Sequence, residues 1–96
     1  MRIIQSASAF DTWFSNLRDD QARAKITARI RRAELGNLGD CVPVGEGVSE
    51  MRIHYGPGYR VYFLQRGKKL IILLAGGDKR TQPKDIKTAL ELAREL

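Results

Sequence analysis

The sequence predicts a small α+β domain that combines a mostly antiparallel sheet with two N-terminal helices and one C-terminal helix. Three observations favour this fold class. Apolar residues recur at helical spacing near both ends of the chain, alternating residues mark a hairpin over residues 51–64, and an unbroken apolar run fills residues 70–75. A chain of 96 residues has the length of one domain with a modest core, so we expect a single domain over residues 1–96.

The N-terminal elements are a strand and a helix. Residues 2–5 have the character of a short strand, and Ser8 is placed to cap the helix that follows. Four apolar residues recur along that helix with helical spacing: Phe10, Trp13, Phe14 and Leu17. Aromatic side chains at this spacing indicate a packed core and not a surface for stacking nucleic-acid bases.

A second helix is predicted over residues 20–35, with Gly36 as its left-handed stop. Its inward stripe is Ala22, Ile26, Ile30 and Ala33. Its outer face carries the basic residues Arg23, Lys25, Arg29, Arg31 and Arg32. This basic face could follow a phosphate backbone, and it equally fits a solvated exterior or a docking surface for a protein partner.

The second half of the chain predicts the rest of the sheet. A turn at residues 36–40 precedes a short strand near residues 41–44, and the apolar run 70–75 predicts a central strand covered on both faces. Pro83 suits the first turn of a closing helix. The apolar stripe of that helix is Ile86, Ala89, Leu90 and Ala93. The predicted order is β-α-α-β-β-β-β-α, with the helices on one face of the sheet and the other face open.

The hairpin sorts its side chains by chemistry. With Gly56-Pro57-Gly58 as the turn, the predicted cross-strand pairs are Tyr55 with Tyr59, Ile53 with Val61, and Met51 with Phe63. The same alternation brings Arg52, His54, Arg60 and Tyr62 together on the opposite side of the sheet. Two guanidiniums, an imidazole and a phenol on one open face suit phosphate binding with acid–base help.

The charge balance favours an anionic partner. The chain has 17 Lys and Arg against 11 Asp and Glu, a net charge of +6, with a pI near 9.9. Most of the surplus lies in the hairpin and the residues after it. A basic surface tuned only for solubility is the alternative.

Cysteine usage and the N-terminal residues indicate a cytoplasmic protein that needs no metal. Cys41 is the only cysteine and His54 the only histidine, so the sequence offers no structural zinc site, and we expect no cofactor. The first residues lack the apolar region of a signal peptide, and the run 70–75 is too short to span a bilayer. We therefore expect no membrane partner.

The loop after the central strand begins with Gly76-Gly77. It has neither a G-x-G-x-x-G pattern nor the Walker lysine, so it does not predict a nucleotide site. We expect the two glycines to be flexible, which would let Lys79 and Arg80 swing towards the face that carries Arg60. Alternatively, Asp78 and Lys79 pair with each other in a surface turn.

No motif of a protease, a glycosidase or a metal-dependent nuclease is present. Metal-free cleavage of RNA needs less machinery, because the 2′-hydroxyl is an internal nucleophile. The protein must orient the phosphate, stabilise its added negative charge and move protons. Arginine and lysine can perform the first two tasks, and a histidine such as His54 can perform the third. An ordinary surface histidine is the alternative.

Several segments resemble the RelE/ParE superfamily of bacterial toxins, in particular its addiction-module killer (HigB-like) branch. The segments are EMRIH (50–54), GPGYRVYF (56–63) and GGDKRTQ (76–82), together with GNLGD (36–40) and VGEGV (44–48). The resemblance covers nearly the whole chain. It implies a RelE-like domain and the toxin of a type II toxin–antitoxin module, an mRNA interferase that inhibits translation. It also implies a ribosome-dependent endoribonuclease and a helix-turn-helix DNA-binding antitoxin.

The resemblance also implies site residues. Family members place basic groups where Arg52, His54 and Arg60 stand, and a further one near Lys79 or Arg80. The implied catalytic set is Arg52, His54, Arg60 and Lys79, and the implied RNA-binding set is Tyr62, Arg80, Lys68 and Lys69. Family nucleases often add a tyrosine or histidine after the last strand, where this chain has Gln82, Lys84, Asp85 and Ile86. Either His54 or Tyr62 substitutes for that group, or this protein cleaves poorly or not at all.

Two other functions remain open at this point. One is a non-enzymatic inhibitor of DNA gyrase, as in the ParE branch, and the other is an inactive toxin that only binds its antitoxin. The hairpin separates them from the nuclease, because a gyrase binder has no need of Arg52, His54 and Arg60 on one face.

Overall fold

The computed structural model describes residues 1–96, which form five strands and three α-helices. The strands are β1 (Ile3–Ser6), β2 (Cys41–Gly45), β3 (Val48–Ile53), β4 (Tyr59–Arg66) and β5 (Leu70–Gly77). The helices are α1 (Ser8–Ser15), α2 (Asp20–Glu34) and α3 (Gln82–Arg94), and a short 3-10 turn, Lys79–Thr81, precedes α3. The predicted order of elements is confirmed. None of the helices has the length and apolar character needed to cross a membrane.

The five strands form one sheet in the order β1-β5-β4-β3-β2. β1 runs parallel to β5, and the other neighbours are antiparallel. The predicted α+β class with a mostly antiparallel sheet is therefore confirmed. Since β5 and β4 lie in the middle, the residues at their ends can be reached from both β3 and the start of α3.

Helices cover both faces of the sheet, so the prediction of one open face is wrong. Ile71 packs on one face with Phe10 of α1 and Ile26 of α2. Leu74 packs on the other face with Ala89 of α3. The unbroken apolar run in β5 explains this arrangement, because a strand that is apolar on both sides must be buried on both sides.

The hairpin has a longer connection than predicted, residues 54–58, and its register differs by two residues. Ile53 pairs with Tyr59, and Met51 pairs with Val61. Tyr55 belongs to the turn, where its carbonyl accepts a hydrogen bond from the Gly58 amide at 3.1 Å. Because the shift is an even number of residues, every strand residue stays on the face predicted for it.

Arg29 is buried and does not belong to the outer basic face of α2, contrary to prediction. Its Nη1 donates to the carbonyl of Arg52 at 2.5 Å, and its Nη2 donates to the carbonyls of Leu38 and Asp40 at 3.2 Å each. This side chain therefore ties α2 to the loop before β2 and to β3. The predicted left-handed stop after α2 is confirmed, since Gly36 has φ of +105°.

Gly76 and Gly77 are buried and serve close packing, so the expectation that they make a flexible loop is wrong. The indole of Trp13 lies where a side chain on Gly76 would stand. Thr81 and Asp85 occupy the equivalent space beside Gly77. At the start of α1, Ala7 and not Ser8 is the N-cap residue, and it makes no side-chain cap.

Candidate active site

A cleft of about 510 Å³ opens at the hairpin turn and brings the four predicted catalytic residues together. Arg52 enters it from β3, Arg60 from β4, His54 from the connection, and Lys79 from the 3-10 turn. The wall is completed by Ile53, Tyr55, Tyr59 and the turn residues 56–58. The lining residues include three cations and no carboxylate. Such a cleft attracts an anion.

Arg52 and Arg60 stand directly opposite each other on the two hairpin strands. Like charges in this position repel, and each arginine has its own carboxylate in compensation. Arg52 Nη2 lies 3.0 Å from Asp40 Oδ1, and Arg60 Nη1 lies 3.4 Å from Glu50 Oε2. The Nε atoms of both arginines are buried without a hydrogen-bond partner. Because these Nε–H groups are shielded from solvent, the terminal guanidinium nitrogens are the atoms that can contact an anion in the cleft.

His54 lies just past the end of β3 and not on the strand. Its side chain is 74% exposed, and its Nε2 lies 2.5 Å from Oδ2 of Asp40. Its Nδ1 has no protein partner within hydrogen-bond distance. The hydrogen bonds from Arg52 and His54 hold the pKa of Asp40 below its ordinary value, so Asp40 is a carboxylate at neutral pH.

Lys79 crosses the cleft towards the hairpin turn. Its aliphatic stem lies against Gly58, where an added Cβ atom would stand 3.0 Å from Lys79 Cγ. Asp78 starts the 3-10 turn, because its side chain accepts a hydrogen bond from the Arg80 amide at 2.8 Å. Asp78 also pairs with the guanidinium of Arg80 at 3.2 Å. The alternative prediction of an Asp78–Lys79 pair is therefore wrong.

Tyr62 is fully buried under α3, so it does not belong to an open face as predicted. Its hydroxyl donates to Glu50 Oε1 at 3.3 Å, and burial followed by the charge of Glu50 raises the pKa of Tyr62. Gln82 of α3 donates to the same Glu50 oxygen at 2.6 Å. Arg60, whose side chain is only 10% exposed, completes this buried polar group. The Tyr62 hydroxyl is turned away from any ligand on the surface.

The remaining predicted RNA-binding residues lie outside the cleft. Arg80 is exposed and paired with Asp78. Lys68 and Lys69 lie in the turn between β4 and β5, at the end of β4 that is remote from the cleft. Because β4 has eight residues, this turn is about 25 Å from the hairpin turn at the usual rise of a strand.

A second, smaller basic groove of about 340 Å³ runs along α2. It is lined by Lys25, Arg29 and Arg32, and it shares Ile53 and His54 with the cleft. The basic surface therefore continues from the 3-10 turn, past the hairpin, onto α2. No group of three or more His, Cys, Asp and Glu side chains is arranged to hold a metal ion.

The sequence prediction leaves out two acidic residues of the site. It gives Asp40 only as part of a turn, although the neighbouring Cys41 pairs with Met51, which places Asp40 opposite Arg52. It gives Glu50 only as part of a motif, although Glu50 alternates with Arg52 on the same strand face. In both cases the signal was the position of an acid across or along the sheet from an arginine.

Comparisons with known proteins give one family and one close relative. The family model described as "Phage derived protein Gp49-like (DUF891)" matches residues 12–96. A protein of Haemophilus influenzae (strain Rd), named only "Uncharacterized protein", is 52% identical over 93 residues. That match covers 97% of this chain and 94% of the relative, so the two proteins share their whole architecture.

Proposed function

The chain belongs to the Gp49-like family of phage-derived proteins, a member of the RelE-like toxin superfamily of toxin–antitoxin systems, and we propose that it is a ribosome-dependent mRNA endonuclease. It acts in the cytoplasm without a metal ion, and a helix-turn-helix antitoxin neutralises it. The whole chain, residues 1–96, forms the toxin domain. The family supports the toxin and its antitoxin, and the cleft supports the nuclease.

The observation that carries the nuclease proposal is the composition of the cleft. Arg52, Arg60 and Lys79 surround it without a lining carboxylate, and the exposed imidazole of His54 stands at its edge. Three cations can hold a phosphodiester and stabilise the added negative charge of its pentacoordinate transition state. Of the side chains that line the cleft, the imidazole is the type best suited to both accepting and donating a proton.

In the proposed reaction, the 2′-hydroxyl oxygen of one nucleotide attacks the adjacent phosphorus. The new O2′–P bond forms as the P–O5′ bond breaks, which leaves a 2′,3′-cyclic phosphate and a free 5′-hydroxyl. One proton leaves the 2′-hydroxyl and one is delivered to the 5′-oxygen. His54 accepts the proton of the 2′-hydroxyl and then donates a proton to the 5′-oxygen. Arg52 and Arg60 hold the nonbridging phosphate oxygens.

The ribosome supplies what the cleft lacks. Where the resemblance implies a tyrosine or histidine after the last strand, this chain has Gln82, Lys84, Asp85 and Ile86, and the amide of Gln82 is bonded to Glu50. With a single proton-transfer group on an exposed connection, the protein needs a second macromolecule to align the RNA. We assign that role to the ribosome, which presents the message in a fixed conformation in its A site.

The proposal is tested by inducing the protein without an antitoxin and mapping the 5′ ends of a reporter message by primer extension. We expect cuts within the translated reading frame and none in a matched message whose start codon has been removed. His54→Ala, expressed at the same level, serves as the control in which cleavage should be strongly reduced. Equal cutting of the translated and untranslated messages would overturn the ribosome requirement.

The non-enzymatic alternatives give different results in the same cells. If the protein is a gyrase inhibitor, its His54→Ala variant should arrest growth as well as the wild type does, and the wild type should block supercoiling by purified gyrase. A protein that only binds its antitoxin would leave growth unchanged. Growth arrest that depends on His54, with no effect on gyrase, is the result that we expect.

A further inference from the structure

One carboxylate at the edge of the cleft holds two of the proposed active-site side chains at once. Asp40 Oδ1 accepts a hydrogen bond from Arg52 Nη2 at 3.0 Å, and Asp40 Oδ2 lies 2.5 Å from His54 Nε2. Asp40 does not line the cleft itself. Its carboxylate therefore fixes the separation of an arginine and a histidine without occupying the space between them and the substrate.

The backbone that carries Asp40 is itself held in place. The Asp40 carbonyl accepts hydrogen bonds from the Arg52 amide at 3.0 Å and from the buried Arg29 guanidinium at 3.2 Å. Gly39 before it has φ of +70°, and a Cβ atom there would collide with Arg29. A carboxylate built onto such a rigid loop end differs from a surface acid that meets a basic neighbour by chance.

We propose that Asp40 is a positioning residue that orients the His54 imidazole for proton transfer, an inference that rests on the endonuclease function proposed above. Nε2 carries its hydrogen towards Asp40, which leaves the Nδ1 lone pair available to the RNA 2′-hydroxyl. Without Asp40, an exposed side chain on a connection would move among its rotamers and would meet the substrate in the correct orientation only part of the time.

The test is a double-mutant cycle on cleavage by programmed ribosomes. Asp40→Asn keeps the size of the side chain and an oxygen acceptor for Arg52, but removes the negative charge that orients the imidazole. We expect its cleavage rate constant to fall at least about tenfold, by analogy with the orienting carboxylate of other histidine bases. In a His54→Ala background the same substitution should cause no further loss.

Two controls make the cycle specific. Glu46→Gln removes another carboxylate that pairs with an arginine, Arg94 at 2.7 Å, on a turn outside the cleft, and it should cleave like the wild type. In an Arg52→Ala background, Asp40→Asn should still lower the cleavage rate constant about tenfold, because Asp40 acts by orienting His54. A loss that persists without His54 and disappears without Arg52 would overturn the inference.

A second measurement does not depend on cleavage. His54 is the only histidine of the chain, so every imidazole NMR signal belongs to it. We expect the three-bond couplings of the His54 side chain to report one preferred χ1 rotamer in the wild type and in Glu46→Gln, and rotamer averaging in Asp40→Ala. A preferred rotamer that persists in Asp40→Ala would show that Asp40 does not orient the ring.

The outcomes separate the inference from the function on which it rests. If the wild-type protein cleaves and Asp40→Asn cleaves equally fast, only the positioning role is overturned. If the wild-type protein does not cleave a translated message, the endonuclease function and the role of Asp40 in it are both overturned.

Discussion

Two carboxylates serve the two facing arginines of the hairpin in opposite surroundings. Asp40 pairs with Arg52 at the surface, where both side chains keep more than a third of their exposure. Glu50 pairs with Arg60 beneath α3, where neither side chain is more than 10% exposed. The chemical groups are the same and the strands are neighbours, so solvent is the main difference between the two pairs.

Because of this difference in exposure, we expect the two arginines to contribute to catalysis in different ways. Water screens the exposed pair, so Arg52 can exchange part of its contact with Asp40 for a phosphate at little cost. The buried pair is held by the hydroxyl of Tyr62 and the amide of Gln82, which both donate to Glu50. The orientation of the Arg60 guanidinium is therefore fixed before any ligand binds, as electrostatic catalysis requires.

The largest expected effect is the loss of stability when the buried acid is removed. Glu50→Ala leaves the Arg60 guanidinium, the Tyr62 hydroxyl and the Gln82 amide without their common acceptor. Removing one partner of a buried ion pair costs about 3–5 kcal/mol, and we expect a fall of that size in the free energy of unfolding measured with urea.

The exposed acids provide the contrast for this measurement. Asp40→Asn and Glu46→Gln should unfold close to the wild-type urea concentration, because their pairs are solvated. If Glu50→Ala were as stable as Asp40→Asn, the buried group would not differ from the exposed one in the way that the structure indicates.

The next effect separates the two arginines by activity and by stability. Arg52→Ala should slow cleavage about a hundredfold, the usual result of losing one transition-state contact, while the urea midpoint stays near that of the wild type. Arg60→Ala should lower both activity and stability, because it leaves Glu50 buried beside two neutral donors. The sequence predicts an open face for Arg60, and the burial of this side chain contradicts that prediction.

Cleavage assays and urea titrations on the same protein preparations check this pair. Arg60→Met is the useful third variant, since it fills the space without the charge. We expect Arg60→Met to be inactive and more stable than Arg60→Ala. An active Arg60→Met would remove the guanidinium from the site.

Much of the fold follows from local patterns in the sequence. The element order follows from the spacing of apolar residues together with turn residues, the apolar stripe of α3 follows from spacing, and both predictions are confirmed. The hairpin faces were also correct, although the register was not, because a shift by two residues preserves alternation. Local patterns fail where the answer depends on a distant element. Tyr62 is buried only because α3 folds back over β4.

The burial of Arg29 is indicated by the spacing of apolar residues on α2, although the residue type favours an exposed position. Ala22, Ile26 and Ala33 are buried on α2, and position 29 continues the same helical stripe at the spacing of a core residue. The sequence prediction nevertheless groups Arg29 with the other basic residues on the outer face of the helix. Its partners are backbone carbonyls of a loop and of β3, and no pattern of residue types reveals those.

A smaller effect is expected at the rim of the cleft, on the exposed side of the comparison. Gly58→Ala places a methyl group against the stem of Lys79 and puts a side chain at φ of +81°. We expect a loss of about 1 kcal/mol in the free energy of unfolding and a partial loss of cleavage as Lys79 is displaced. Gly67→Ala is the matched control, because it has φ of +61° in the remote turn with open space around it. Equal cleavage by the two variants would remove Lys79 from the site.

The smallest expected effect is a difference in how stability depends on pH, between the buried group around Glu50, which includes Tyr62, and the exposed group around Asp40. Burial raises the pKa of Tyr62, so the folded protein keeps the phenolic proton above about pH 10, where the tyrosine of the unfolded chain loses it. The unfolded state then binds fewer protons, and stability falls as the pH rises past that value. Tyr62→Phe should remove this part of the alkaline slope and leave the acid side unchanged.

Asp40 acts on the other side of the pH scale. Its pKa is lowered by the hydrogen bonds from Arg52 and His54, so below its ordinary value of 3.8 the unfolded chain takes up a proton before the folded one does. The stability that Asp40 contributes is therefore present at neutral pH and is lost as the pH falls through the lowered pKa. Urea midpoints of the wild type, Tyr62→Phe and Asp40→Asn at pH 2.5 to 11 measure both slopes. Each variant should flatten only its own side, and if either flattened both, the two groups would be coupled and not separate.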